Sequence, residues 1–264
     1  MHLDTAAGEW KEQLAYERGK YKLLALDLDG TLLNDRSEIS DTNAEWVRHA
    51  VEAGVTVCVS TGRGFKSALP IVEQLGLDTP MITVNGGEIW TKPHSIHRRT
   101  LLDTSKVMKL HALAEKYPDV WYWAYTTEDI YNKERWAGDT EASHWLKFGY
   151  YYEDVTILGE ILKEVQSWEG LEISNSSPFN IEINPLGISK ATALMEVCKM
   201  KGYDMSEVVS VGDSLNDIAA IRASGLGVAM GNAQDEVKLA ANAVTGSNQE
   251  NGVAQVIQNY VLRT

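Results

Sequence analysis

Cysteine is nearly absent. The 264 residues carry two thiols, Cys58 and Cys198, each among apolar neighbours and without zinc-ligand spacing, so both read as small core residues. Basic residues are also scarce: 24 Lys plus Arg against 37 Asp plus Glu, a net charge of −13. DNA and RNA binding needs a basic footprint, so no nucleic-acid partner is expected. No apolar run approaches bilayer-spanning length, so no membrane association is expected either. Residues 1–20 carry charges throughout and lack the apolar segment of a secretory signal, which makes the cytoplasm the expected compartment. Internal repeats and low-complexity segments are missing as well.

Two carboxylates are the first thing present that carries chemistry. Tyr21-Lys22-Leu23-Leu24-Ala25-Leu26 reads as a buried strand, and it runs into Asp27-Leu28-Asp29-Gly30-Thr31. Open α/β sheets bind ligands outside the carboxyl ends of their strands. Residues i and i+2 of a strand point the same way, so Asp27 and Asp29 start on one side. Paired carboxylates repel, and one is driven protonated unless a cation separates them. The pattern therefore suits a metal site, or a nucleophile beside a proton donor. An ordinary Asp-Gly turn is the bland alternative. A calcium loop is not: counting from Asp27, Glu38 falls on position 12, but Gly30 falls on position 4 instead of 6 and a strand precedes it.

Three further pieces change the weight of that motif. Glu207–Val211 reads as a second buried strand and enters Gly212-Asp213-Ser214-Leu215-Asn216-Asp217. Val55–Ser60 is a strand that ends in Thr61-Gly62-Arg63, and Gly187-Ile188-Ser189 leads into Lys190 at the start of a helix. Singly, Thr61 is better read as a helix cap, Lys190 as a solvated lysine and Asn216 as a turn residue. Together and in this order they resemble the haloacid dehalogenase superfamily of phosphohydrolases, in its Cof-type branch with a large inserted cap. Gly225–Ala233 is similar to the segment that follows the branch's last motif. Ala191 and Ala220 depart from that pattern, where Gly and Met are usual.

The resemblance implies a magnesium-dependent phosphomonoesterase acting on a small phosphate ester. Asp27 would be the nucleophile that forms an aspartyl-phosphate, and Asp29 the general acid and then base. Asp27, the Asp29 carbonyl and Asp213 would hold Mg2+, with Asp217 binding through water or bracing that shell. Thr61 and Lys190 would bind the transferring phosphoryl group. Backbone N–H groups at Leu28, Asp29 and Gly62 would add donors. Arg63 would contact substrate or pair with an acid. Asn85, in Asn85-Gly86-Gly87, would face substrate or merely make a tight turn. Asn216 is expected at the phosphate side. Sugar phosphates are the first expectation, with flavin, pyridoxal and nucleotide phosphates next. A phosphomutase and a phosphometabolite-binding regulator are the rival functions.

Strand and helix signals alternate from Tyr21 to Val84 and again from Lys190 onward, which predicts an α/β fold with a Rossmann-like parallel sheet flanked by helices. Three segments are expected: an extension over 1–20, a catalytic core over 21–86 plus 188–264, and an inserted α+β cap over 87–187. In the extension, Trp10, Leu14 and Glu17 share one helical face, which suits packing on the core or a dimer contact. Oligomeric state is left as monomer or homodimer. Six of the eight tryptophans, Trp90, Trp121, Trp123, Trp136, Trp145 and Trp168, fall in the predicted cap. Cap core or an interface is the better reading for them, with stacking on a substrate ring as the sharper one.

Overall fold

Leu23–Leu26 (β1) is apolar at every position because both its faces are covered. In the computed structural model, which describes residues 19–136 and 142–262, all four of its residues are buried. The helical face expected at Trp10, Leu14 and Glu17 lies outside the described residues. From β1 the chain continues through α1 (Asp41–Glu52), β2 (Thr56–Ser60), α2 (Phe65–Gln74) and β3 (Met81–Thr83). A hairpin follows, β4 (Glu88–Lys92) and β5 (Ser95–Arg99). An inserted unit then runs through α3 (Thr104–Ala114), β6 (Trp121–Thr126), β7 (Ile130–Asn132), β8 (Trp145–Tyr151), α4 (Val155–Gln166), β9 (Leu171–Ser174) and β10 (Asn180–Pro185). The return comprises α5 (Lys190–Lys201), β11 (Val208–Gly212), α6 (Ile218–Ala223), β12 (Leu226–Ala229), α7 (Asp235–Ala240), β13 (Ala243–Val244) and α8 (Gly252–Val256).

The larger sheet has the order β13-β12-β11-β1-β2-β3-β4-β5 and is parallel from β13 to β3. Side-chain alternation divides its core in two. Leu24, Leu26, Val57 and Val59 pack with Val47, Val72 and Val256, whereas Leu23, Ala25 and Cys58 pack with Leu194, Val197 and Cys198. Both thiols are thus buried, as expected of core residues.

Chain order reverses at β1. Its partner on one side is β2, and on the other it is β11, which arrives nearly two hundred residues later. Leu26 pairs with Val211, so both strands end side by side, at the place where sheets of this type bind ligands. Asp27 extends the pairing by donating its N–H to the Val211 carbonyl at 3.1 Å.

The inserted unit does not begin at residue 87 as expected. Residues 88–99 belong to the large sheet, because β4 folds back antiparallel on β3 and β5 pairs with β4. Trp90 accordingly sits with the core, stacked on Phe65 with ring centroids 4.0 Å apart. The insertion itself is an antiparallel sheet of order β7-β6-β8-β10-β9. Helices α3 and α4 pack on one face through Leu110, Leu113, Ile161 and Val165 against Trp145, Phe148 and Tyr150. Central strand β8 is not evident in the sequence, because Lys147 and Gly149 interrupt its apolar run. Gly149 has a packing reason: a Cβ there would lie 2.3 Å from the Trp123 ring.

Trp145 is fully buried and stacks on Trp136 at 5.4 Å between ring centroids. Truncating a buried tryptophan costs about 3–5 kcal/mol. Trp145→Ala is therefore expected to lower the melting temperature by roughly 6–20 °C, read by calorimetry. A shift under about 2 °C would contradict a load on this ring.

Candidate active site

At the ends of β1 and β11 the side chains of Asp27, Asp213 and Asp217 converge, with one carboxylate oxygen from each within 4.8 Å of the others. Lys190, the first residue of α5, enters the same cluster. Its Nζ lies 2.7 Å from Asp27 Oδ1 and 2.7 Å from Asp217 Oδ1. It is held there by the start of its helix: Ser189 accepts from the Thr192 N–H in a reciprocal capping box, which fixes where the helix begins. The Lys190 side chain is 1% exposed, so its ammonium has left water for these two carboxylates. Burial would lower its pKa, but Asp217 and Asp27 outweigh burial and raise it.

The remaining contacts fix each carboxylate. Asp217 gives Oδ1 to Lys190 and accepts the N–H groups of Asp213 and Ser214 on Oδ2, both at 3.1 Å. That is a bracing arrangement. Asp213 accepts from Thr31 Oγ1 at 3.0 Å and from Ser214 Oγ at 2.9 Å. Two glycines make the approach possible. Gly30 has φ +74°, and a Cβ on it would lie 2.5 Å from Asp213 Oδ2. A Cβ on Gly212 would lie 2.2 Å from the Asp217 carboxyl carbon.

One lysine does not balance three carboxylates. Burial, only partly offset by Lys190, raises the Asp27 pKa well above the ordinary range, and Asp217 and Asp213 raise it further. Burial and then Asp217 push Asp213 up to about 6. A hard divalent cation on this all-oxygen donor set would remove that deficit. The residues present thus fit a magnesium ion by chemistry and by spacing.

Asp29 stands apart, turned to the mouth of the site. Arg63 grips it with a fork, Nε to Oδ2 at 2.8 Å and Nη2 to Oδ1 at 2.5 Å. The hydrogen bond to Asp29 is the largest cause of the raised Arg63 pKa. Of the two readings open for Arg63, pairing with an acid is the one seen. Thr61 Oγ1 accepts the Arg63 N–H at 3.1 Å, and Thr61 lines the cavity described next.

A cavity of about 240 Å³ lies over these groups, between the core and the inserted sheet. Asp27, Asp29, Thr61, Gly62, Arg63 and Asn216 line it, as do Trp123, Tyr125, Lys147, Ser176, Asn180, Glu182 and Ser214. A larger cavity of about 400 Å³ opens beside it under the β6–β7 hairpin, but it holds none of the clustered carboxylates. Leu28 has its side chain in the core, so only its backbone can serve the site. Asn85 is also spent elsewhere. Its Nδ2 donates to Glu182 Oε2 at 2.6 Å and to Asn184 Oδ1 at 3.4 Å, and its Oδ1 accepts from Asn216 Nδ2 at 3.3 Å. It occupies the β3–β4 turn with φ +57° and ties core to insertion. Of the lining residues of the insertion, sequence reasoning named Trp123 alone, as one of six tryptophans read first as cap core or interface and second as a stacking surface, and it missed Lys147, Ser176, Asn180 and Glu182. The available signal was the alternation Asn180, Glu182, Asn184 against Ile181 and Ile183, which marks a polar face.

Comparison with known proteins agrees with this geometry. The family model for haloacid dehalogenase-like hydrolases matches residues 24–157 and 138–257. The chain belongs to the haloacid dehalogenase-like hydrolases. Its motifs place it in the family's Cof-type branch, as a phosphohydrolase. It is 46% identical over 241 residues to the 5-amino-6-(5-phospho-D-ribitylamino)uracil phosphatase YcsE of Bacillus subtilis, covering 91% of this chain and 96% of that one. It is 30% identical to the pyridoxal phosphate phosphatase YbhA of Escherichia coli, covering 91% and 99%. Among solved structures, a haloacid dehalogenase-like hydrolase from B. subtilis superposes with a TM-score of 0.83 at 28% identity, covering 90% of this chain and 99% of that one.

Removing one partner of a buried ion cluster costs about 3–5 kcal/mol, since a charge is left unpaired. Lys190→Met is therefore expected to lower the melting temperature by roughly 6–20 °C at neutral pH, besides abolishing turnover. Unchanged stability would mean that the ammonium does not offset the carboxylates.

Proposed function

We propose that this phosphohydrolase is a magnesium-dependent monoesterase that works through an aspartyl-phosphate on Asp27, and that its substrate is a ribityl-type phosphate such as 5-amino-6-(5-phospho-D-ribitylamino)uracil. The observation that carries the chemistry is the Asp27–Lys190–Asp217–Asp213 cluster beneath the cavity. The substrate choice is supported by the relative at 46% identity and by a cavity wall that combines Trp123 and Tyr125 with polar Ser176, Asn180 and Glu182. We rank it ahead of a plain sugar phosphate, which was the first expectation.

Asp27 offers one carboxylate oxygen to the phosphorus while Lys190 holds the other, which orients it for in-line attack. Asp27 and Asp213, together with the Asp29 carbonyl, would hold the metal, with Asp217 as their brace. Bound there, the cation would polarise the phosphoryl oxygens and cancel their charge against the nucleophile. Thr61 donates its hydroxyl proton to a phosphoryl oxygen. As placed, Arg63 holds Asp29 as an acceptor. An arriving phosphoryl group competes for that guanidinium. Released from it, Asp29 takes up a proton from solvent, delivers that proton to the leaving oxygen, and as the carboxylate left behind takes one from the water that cleaves the aspartyl-phosphate.

Phosphate release across a panel of ribityl, pyridoxal and sugar phosphates tests this reading, with magnesium or EDTA and with Asp27→Asn as the blank. Release from the ribityl phosphate above the others is expected, dependent on magnesium and lost in the variant. Activity retained by Asp27→Asn would exclude it as nucleophile. Magnesium is also expected to raise the melting temperature of the wild type in a concentration-dependent way, and Asp213→Asn to lose most of that shift. An equal shift in both would remove Asp213 from the metal site. Asp29→Asn should slow alkyl phosphates at least tenfold more than p-nitrophenyl phosphate, whose leaving group needs little protonation. Equal losses on both would argue against the acid role.

A further inference from the structure

We propose that Lys147 and Glu182 are the residues that read the leaving group, and that the site they form takes an uncharged, hydroxyl- or carbonyl-bearing group carrying a ring. The inference rests on the phosphatase reading above and adds the specificity-determining residues to it.

Strand register puts the relevant side chains on one face. Trp123 pairs with Gly149 and Tyr125 with Lys147 across β6 and β8, and Glu182 pairs with Gly149 across β10 and β8. Directly opposed residues share a face, and alternate residues on a strand do too. Trp123, Tyr125, Lys147 and Glu182 therefore project together, away from the helix-covered face that holds Phe148 and Tyr150. All four line the catalytic cavity.

Two charges on this face have been taken out of water. The Lys147 and Glu182 side chains are 2% and 5% exposed, and Nζ lies 2.9 Å from Glu182 Oε1. A buried ion pair is weak as a stabilising device, because apolar residues of similar volume do as well or better. Its place on the one face that meets the reacting centre points to use. Lys147 also donates to the Gly62 carbonyl at 3.0 Å. An ammonium has three donors, so these two contacts leave one. The ammonium sits 5.1 Å from the Tyr125 ring centroid, beside the cavity wall.

Glu182 is fixed as a carboxylate by three donors. Oε1 accepts from Lys147 and from Ser176 Oγ at 3.1 Å, and Oε2 accepts from Asn85 Nδ2 at 2.6 Å. Burial opposes its ionisation, but Lys147 and these hydrogen bonds outweigh burial and hold its pKa below the ordinary value. The Lys147 charge is thus already neutralised. The pair as a whole carries no net charge, so it offers a ligand a directed N–H and no excess positive charge that would draw in a second anion. Together with the ring faces of Trp123 and Tyr125, this selects a polar, uncharged leaving group over a second phosphate or a carboxylate.

The test compares kcat/KM for 5-amino-6-(5-phospho-D-ribitylamino)uracil and for p-nitrophenyl phosphate in the wild type, Lys147→Met and Lys147→Met/Glu182→Gln. The double variant leaves no unpaired charge, so it guards against misfolding of the single one; circular dichroism and melting temperature check both. A lost hydrogen bond from a charged donor is worth about 10- to 100-fold. The ratio of the two kcat/KM values is expected to fall by that factor in both variants, mainly through KM of the metabolite. A ratio that stays within threefold of wild type would overturn the inference, whether both substrates decline together, as a purely structural role requires, or neither does. Wild-type enzyme that hydrolyses p-nitrophenyl phosphate but not the ribityl phosphate would refute the substrate reading instead. The same ratio is then measured with the preferred panel substrate, where a fall again supports the role of Lys147 and constancy overturns it.

Discussion

Carboxylates crowd where β1 and β11 end, and the Lys190 ammonium between Asp27 and Asp217 is what lets them remain there. Everything else near the site serves that meeting. Parallel pairing of β1 with β11 brings together side chains 186 positions apart in sequence, Asp27 and Asp213. The capping box at Ser189 aims Lys190 between Asp27 and Asp217. Gly30 and Gly212 leave the room that any Cβ would fill. The cluster still carries more negative than positive charge, seen in the raised pKa values of Asp27 and Asp213. That imbalance suits a site that receives a cation and then a phosphoryl group, and it would be an odd choice for stability alone.

A second polar layer faces the first across the cavity. Lys147 ties the insertion to the Gly62 carbonyl, Asn184 Nδ2 donates to the Val84 carbonyl at 3.0 Å, and Asn85 reaches back to Glu182. The loops that carry Thr61 and Asn85 are thus braced by the same insertion that walls the cavity. The wall of the cavity and the loops that carry the reacting groups are in this way joined through shared side chains.

Much of the core was legible in the sequence because its signals are local. Apolar strands ending in Asp27 and Asp213 mark themselves, and the glycines and Lys190 follow at motif spacing. The β4–β5 hairpin was not legible. Asn85-Gly86 read either as a substrate contact or as a turn, and only the pairing of β3 with β4 shows that it returns the chain to the same sheet. Strand β8 was hidden for a related reason: Lys147 and Gly149 look like surface and turn residues until their partners, Glu182 and the Trp123 ring, are in place. The pairing of Asp29 with Arg63 likewise depends on two loops meeting in space.

A carboxylate oxygen of Asp27 is the atom proposed to take the phosphoryl group. Rapid acid quench during turnover of a 32P-labelled substrate, followed by mapping of the labelled peptide by mass spectrometry, tests it most directly. An acyl-phosphate on Asp27 is the predicted result. Label on another residue, or turnover that inverts a chiral phosphorus with no phosphoenzyme at any quench time, would contradict it.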